Sequence, residues 1–129
     1  MKSTVIAILI GAVLVSGAIM LSQKSPSTTA VAEANNVNVV DGKQIVSITA
    51  KGGYSPRVSK AKADMPTTLR VTTNGTFDCS SALTLPSISY QNNLPATGVT
   101  NIEIPAQKAG TKFQGLCSMG MQRFEIAFE

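Results

Sequence analysis

Three sulfur-bearing side chains fall within one five-residue segment near the C-terminus. Cys117-Ser118-Met119-Gly120-Met121 places a thiol and two thioethers at alternate residues, with Gly120 giving backbone freedom between the last two. The only other cysteine, Cys79, lies far upstream in Thr76-Phe77-Asp78-Cys79-Ser80, and the sequence contains no histidine. Thiolate and thioether ligands select Cu(I), whereas zinc, Cu(II) and iron sites usually recruit imidazole or carboxylate. The donor set therefore points to a Cu(I) site made by Cys79, Cys117, Met119 and Met121. Plainer readings stand beside it. The two cysteines could form one structural disulfide, and the methionines could be gap-filling core residues. The combination of Cys-x-Met-x-Met, a second cysteine and the small polar neighbours Ser80, Ser81 and Ser118 is not how a core strand normally reads.

No catalytic arrangement accompanies these sulfurs, and an enzyme is not expected. Ser80, Ser81 and Ser118 have no histidine base, and Glu103 and Glu125 read as strand-surface charges. Asp78 reads as a turn residue, with a role beside Cys79 as the alternative. The absence of a Cys-x-x-Cys pair argues against a redox protein. Formal charge is +4 and the pI is near 9.3. The densest basic cluster, Lys51, Arg57, Lys60 and Lys62, reads as a solvated strand face, with an acidic partner or anionic lipid surface as the alternative. Basic and aromatic residues do not interleave, so nucleic-acid binding is not expected.

The elements that must position the sulfurs come after a non-globular start. Thr4 to Leu21 are 18 uncharged, mostly apolar positions flanked by Lys2 and Lys24, long enough for a membrane-crossing helix. A cleaved signal peptide is the rival, with Ala30-Val31-Ala32 resembling a cleavage site. The expected division is a transmembrane anchor over 1–21, a flexible linker over 22–38 and one domain over 39–129. The linker is rich in Ser, Thr, Ala and Asn and cannot bury enough apolar surface to fold alone.

Beyond it the pattern is one of short β segments: 44–50, 57–63, 67–73, 77–85 with Cys79 in it, 101–104, 111–116 and 123–129. Turn signals sit between them at Gly52-Gly53, Met65-Pro66, Asn74-Gly75 and Ala109-Gly110, and 86–98 reads as loop. In 67–73, Leu69 and Val71 share one face. In 123–129, Phe124, Ile126 and Phe128 face inward. This spacing predicts an all-β sandwich with Cys117 where the penultimate strand gives way to the last.

Gly53-Tyr54-Ser55-Pro56, Asn74-Gly75-Thr76-Phe77-Asp78-Cys79 and Gly115-Leu116-Cys117-Ser118-Met119-Gly120-Met121 together resemble the cupredoxin family over roughly 44–129. The resemblance implies a Greek-key β-sandwich in which the loop between the last two strands supplies a Cys and a Met. A blue-copper electron carrier also needs two histidines, so this chain cannot build that site. It looks instead like the membrane-anchored, cupredoxin-fold Cu(I) chaperones of the CupA type. It is also similar to the related N-terminal metal-binding domain of copper-exporting P-type ATPases. That resemblance implies Cys79, Cys117, Met119 and Met121 as ligands, with two copper ions sharing the thiolates. It further implies transfer to the metal-binding domain of such an ATPase, and a place at the cell membrane, through residues 4–21, on the cytosolic face.

Overall fold

The computed structural model describes residues 35–129. The expected anchor, the possible cleavage site and residues 22–34 of the expected linker lie outside the described residues. Among the described residues no helix is long and apolar enough to cross a membrane.

Ten strands follow one another: β1 (Val37–Val40), β2 (Lys43–Ala50), β3 (Tyr54–Ser55), β4 (Val58–Ala61), β5 (Thr67–Asn74), β6 (Ala82–Leu85), β7 (Tyr90–Asn93), β8 (Thr97–Ile104), β9 (Lys112–Cys117) and β10 (Arg123–Phe128). They form two sheets of five. One runs β1-β2-β5-β8 with β3 beside β2, and the other runs β4-β10-β9-β6-β7. Strand pairs are antiparallel except β2 with β5 and β4 with β10, which are parallel. The described residues form an all-β sandwich, as the spacing predicts. β1 begins at Val37 and pairs with β2, and Asn36 already donates to the Ser47 carbonyl and the Ser59 hydroxyl.

Alternation sets the core. Leu69 and Val71 of β5, Phe113 of β9, and Phe124, Ile126 and Phe128 of β10 are buried, so each strand turns one apolar face toward the other sheet. Burying such side chains stabilises the fold by about 1.5–3 kcal/mol each. Gln44 is a polar member of this interior. Its amide donates to the Lys62 carbonyl and the Thr67 hydroxyl and accepts from the Lys62 N–H, so burial leaves none of its three contacts unpaired.

Two expectations are corrected. The segment 77–85 is not continuously extended: Cys79–Ser81 form a 3-10 turn and β6 starts at Ala82, because Asp78 caps that turn. The segment 86–98 is not all loop. Pro86–Ile88 form a second 3-10 turn, and β7 then pairs with β6. The expected surface charges are in place, with Lys43 paired to Glu103 at 2.6 Å and Lys112 to Glu125 at 3.7 Å. Lys51, Arg57, Lys60 and Lys62 are all exposed, as a solvated face requires.

Candidate metal centre

Cys79 and Cys117, 38 positions apart, meet at one end of the sandwich and are joined by a disulfide, with Cα atoms 5.7 Å apart. Cys117 is the last residue of β9 and lies opposite Leu83 of β6. It belongs to the inward row with Phe113 and Gly115 and is fully buried. Cys79 reaches it from the 3-10 turn that leads into β6, and is only partly buried.

That turn is held from several sides. Asp78 accepts hydrogen bonds from the Ser80 N–H and hydroxyl through one oxygen and from the Gly52 N–H at 2.8 Å through the other. The buried Tyr54 hydroxyl donates to the Ser80 carbonyl at 3.1 Å, and the Tyr54 ring meets Phe124 edge-on, 5.1 Å between centroids. Gly53 sits so close to Gln122 that an added Cβ would lie 2.9 Å from its side-chain oxygen. The loops around residues 52, 78 and 122 are thereby fixed to one another at the end where the cysteines meet.

The hydrogen bonds from Ser80 and then Gly52 pull the Asp78 carboxyl down from 3.8 to about 2. Folding lowers this pKa, so the stability contributed by these contacts is complete above the ordinary carboxylate value and is lost as pH falls through about 2. Burial, and secondarily the Asp78 charge, push the Tyr54 phenol up from 10.0 to about 12. Asp78→Asn should therefore melt below the wild type at neutral pH, with the gap closing as pH falls from 3.8 toward 2. Tyr54 should then ionise at lower pH than in the wild type, though still above its ordinary value because burial remains. Thermal melts against pH and tyrosinate absorbance check both outcomes.

Met119 and Met121 lie in the short loop between β9 and β10. The Gly120 N–H donates to the Cys117 carbonyl at 2.7 Å and the Cys117 N–H to the Gln122 carbonyl at 2.9 Å, which folds the loop back on Cys117. Gly120 has φ 72°, a conformation glycine adopts without strain. The two methionines are 75% and 73% exposed, so neither fills the core. The structure thus joins the two cysteines and keeps both thioethers in solvent on the adjoining loop. A cleft of about 370 Å³ opens beside Met121, lined also by Arg57, Gln122 and Arg123.

Among the described residues no group of three or more His, Cys, Asp or Glu side chains could hold a metal ion. Two thiols and two thioethers are, by donor type, ligands for a soft, monovalent ion, and the thiols become available when the disulfide is reduced. Two contributing residues were not singled out as site residues from the sequence. Tyr54 and Gln122 act only through contacts across the chain. Phe77, 86% exposed two residues before Cys79, has no signal in the sequence that would separate it from a core aromatic. The role of Asp78 was legible, since Asp-x-Ser is the pattern of a side chain capping its own turn.

Solved structures share this architecture, among them these two. The metal-binding domain of the Cu(I)-exporting P-type ATPase CopA of Streptococcus pneumoniae D39, solved with Cu(I), matches with TM-score 0.64 and 17% identity, over 72% of this chain and 92% of that one. A copper-binding protein solved by NMR in its apo form matches with TM-score 0.65 and 22% identity, over 72% and 94% respectively. At these identities the likeness establishes the fold. No curated protein sequence matches the chain significantly. The sequence profile of the cupredoxin-like domain matches residues 11–126, and the chain therefore belongs to that family.

Proposed function

We propose that the reduced chain is a Cu(I)-binding copper-resistance chaperone. Cys79 and Cys117 are its thiolate ligands and Met119 and Met121 its weaker, neutral donors, with up to two ions sharing the thiolates. The observation that carries this reading is the exposure of both methionines beside a converged cysteine pair. Large apolar side chains left in water at a sulfur cluster lack the packing role that would otherwise explain them. The two structural neighbours, one described as a metal-binding domain with Cu(I) and the other as a copper-binding protein, support it by analogy.

Copper would leave by ligand exchange. Cu(I) accepts two- and three-coordinate geometry, so an incoming thiolate can bind before a thioether departs. The recipient is the metal-binding domain of a copper-exporting P-type ATPase. Anchoring through residues 4–21 would keep donor and pump in one membrane and raise their effective concentration. The cytosolic face suits this role, because thiols stay reduced there. The reduced chain should take Cu(I) from a chromogenic chelator and should bind Zn(II) much more weakly; a chelator that keeps all its copper would sink the reading.

Met119→Leu or Met121→Leu should weaken Cu(I) binding about tenfold, or 1.4 kcal/mol. Because both side chains are exposed, stability should move by less than about 0.5 kcal/mol. Chelator competition and urea midpoints measure the two effects separately.

The observed disulfide favours a second reading: a surface-anchored β-sandwich adhesion or structural module, stapled by Cys79–Cys117 in an oxidising compartment. That module would take up no copper whether oxidised or reduced.

A further inference from the structure

We propose that the Cys79–Cys117 disulfide is a gate on copper uptake, opened by a dithiol reductant that attacks Cys79. The inference rests on the copper reading above. The two residues that would supply both thiolates are the two consumed by the disulfide, so of the four proposed donors the oxidised chain retains the thioethers of Met119 and Met121. A disulfide sulfur can accept a Cu(I) ion only poorly, because the nucleophilic and metal-binding species is the thiolate.

The burial of the pair is asymmetric. Cys117 is fully buried in the inward row of β9, whereas Cys79 is partly exposed on a 3-10 turn at the surface. Thiol–disulfide exchange requires an attacking thiolate to reach one sulfur along the bond, and Cys79 is the less buried of the two residues. Attack forms a mixed disulfide at Cys79, breaks the Cys79–Cys117 bond and releases the Cys117 sulfur as a thiolate, which takes a proton or Cu(I). The second thiol of the reductant then attacks the mixed disulfide, frees Cys79 and leaves the reductant as its own disulfide. Two electrons pass from reductant to protein, and two protons follow them unless copper replaces them. The sandwich need not rearrange, since the turn carrying Cys79 is held independently by Asp78 and Tyr54.

Linkage makes the gate two-way. Cu(I) that binds only the dithiol form pulls the couple toward that form. Each tenfold rise in free Cu(I) above its dissociation constant should raise the two-electron midpoint by up to about 30 mV, approaching that value for one ion.

The test uses the full chain. Oxidised protein, and protein reduced with dithiothreitol and then freed of it without oxygen, are each offered Cu(I) from a chromogenic chelator. In parallel, oxidised protein is treated with glutathione, quenched with iodoacetamide and mapped by mass spectrometry. The expected results are copper uptake by the reduced chain only, with glutathione on Cys79 and the alkyl group on Cys117. Equal uptake by both forms overturns the gate while leaving copper binding intact. Glutathione on Cys117 overturns the assigned point of attack. Failure of both forms to take copper overturns the copper reading, and the gate with it.

Discussion

Cys117→Ser is expected to abolish tight copper binding by the reduced chain, a loss of about a thousandfold or more, roughly 4 kcal/mol. Cys79→Ser should do nearly the same, because each removes one of the two anionic donors. The same substitution should also unstaple the oxidised chain. Closing a loop with sequence separation 38 restricts the unfolded ensemble by about 4 kcal/mol in the chain-entropy treatment. Chelator competition reads the first effect and denaturant midpoints under oxidising and reducing conditions read the second. A variant that binds copper as the wild type does, with only its oxidised stability lowered, would make Cys117 a staple and no ligand.

Gly115→Ala is expected to disturb the whole end of the sandwich that holds the sulfurs. Gly115 lies opposite Phe124 across the β9–β10 pair. An added Cβ would come within 2.2 Å of the Phe124 ring and 3.0 Å of Leu85. Neither atom can yield easily, because Phe124 and Leu85 are both buried. Overpacking of this kind destabilises by about 1–3 kcal/mol, and the displaced ring would also lose its edge contact with Tyr54. The partner substitution Phe124→Leu should recover part of the loss when combined with Gly115→Ala. A thermal melt of Gly115→Ala indistinguishable from that of the wild type would show that the ring has room to move.

Much of this was legible before any coordinates. The alternation of Phe124, Ile126 and Phe128, and of Leu69 and Val71, gives the inward faces directly, because a strand repeats every two residues. The position of Cys117 at the end of the penultimate strand followed from the apolar row ending there and Gly120 coming after. Local chemistry hid the turn at Cys79–Ser81: Cys and Ser suit an extended strand as well as a turn, and the Asp78 cap decides between them. β7 was missed because Tyr90–Asn93 is a polar strand, exposed or half-buried, and carries no apolar alternation to read. The pairing of Cys79 and Cys117 stood among the readings because they are the sequence's two cysteines, but where they meet could not be read, since residues 38 apart are joined by topology and not by spacing. Whether Met119 and Met121 fill the core was a question the sequence left open, and their exposure answers it.

The central claim is that four sulfurs and no lighter atoms hold Cu(I) at the end of the sandwich. X-ray absorption of the reduced full chain, loaded with Cu(I) without oxygen and desalted, examines that ligand shell directly. The expected spectrum is that of Cu(I) surrounded by sulfur alone, with fewer sulfur neighbours when Met119 and Met121 are both replaced by leucine. Nitrogen or oxygen neighbours in the shell, or no copper retained after desalting, would contradict it.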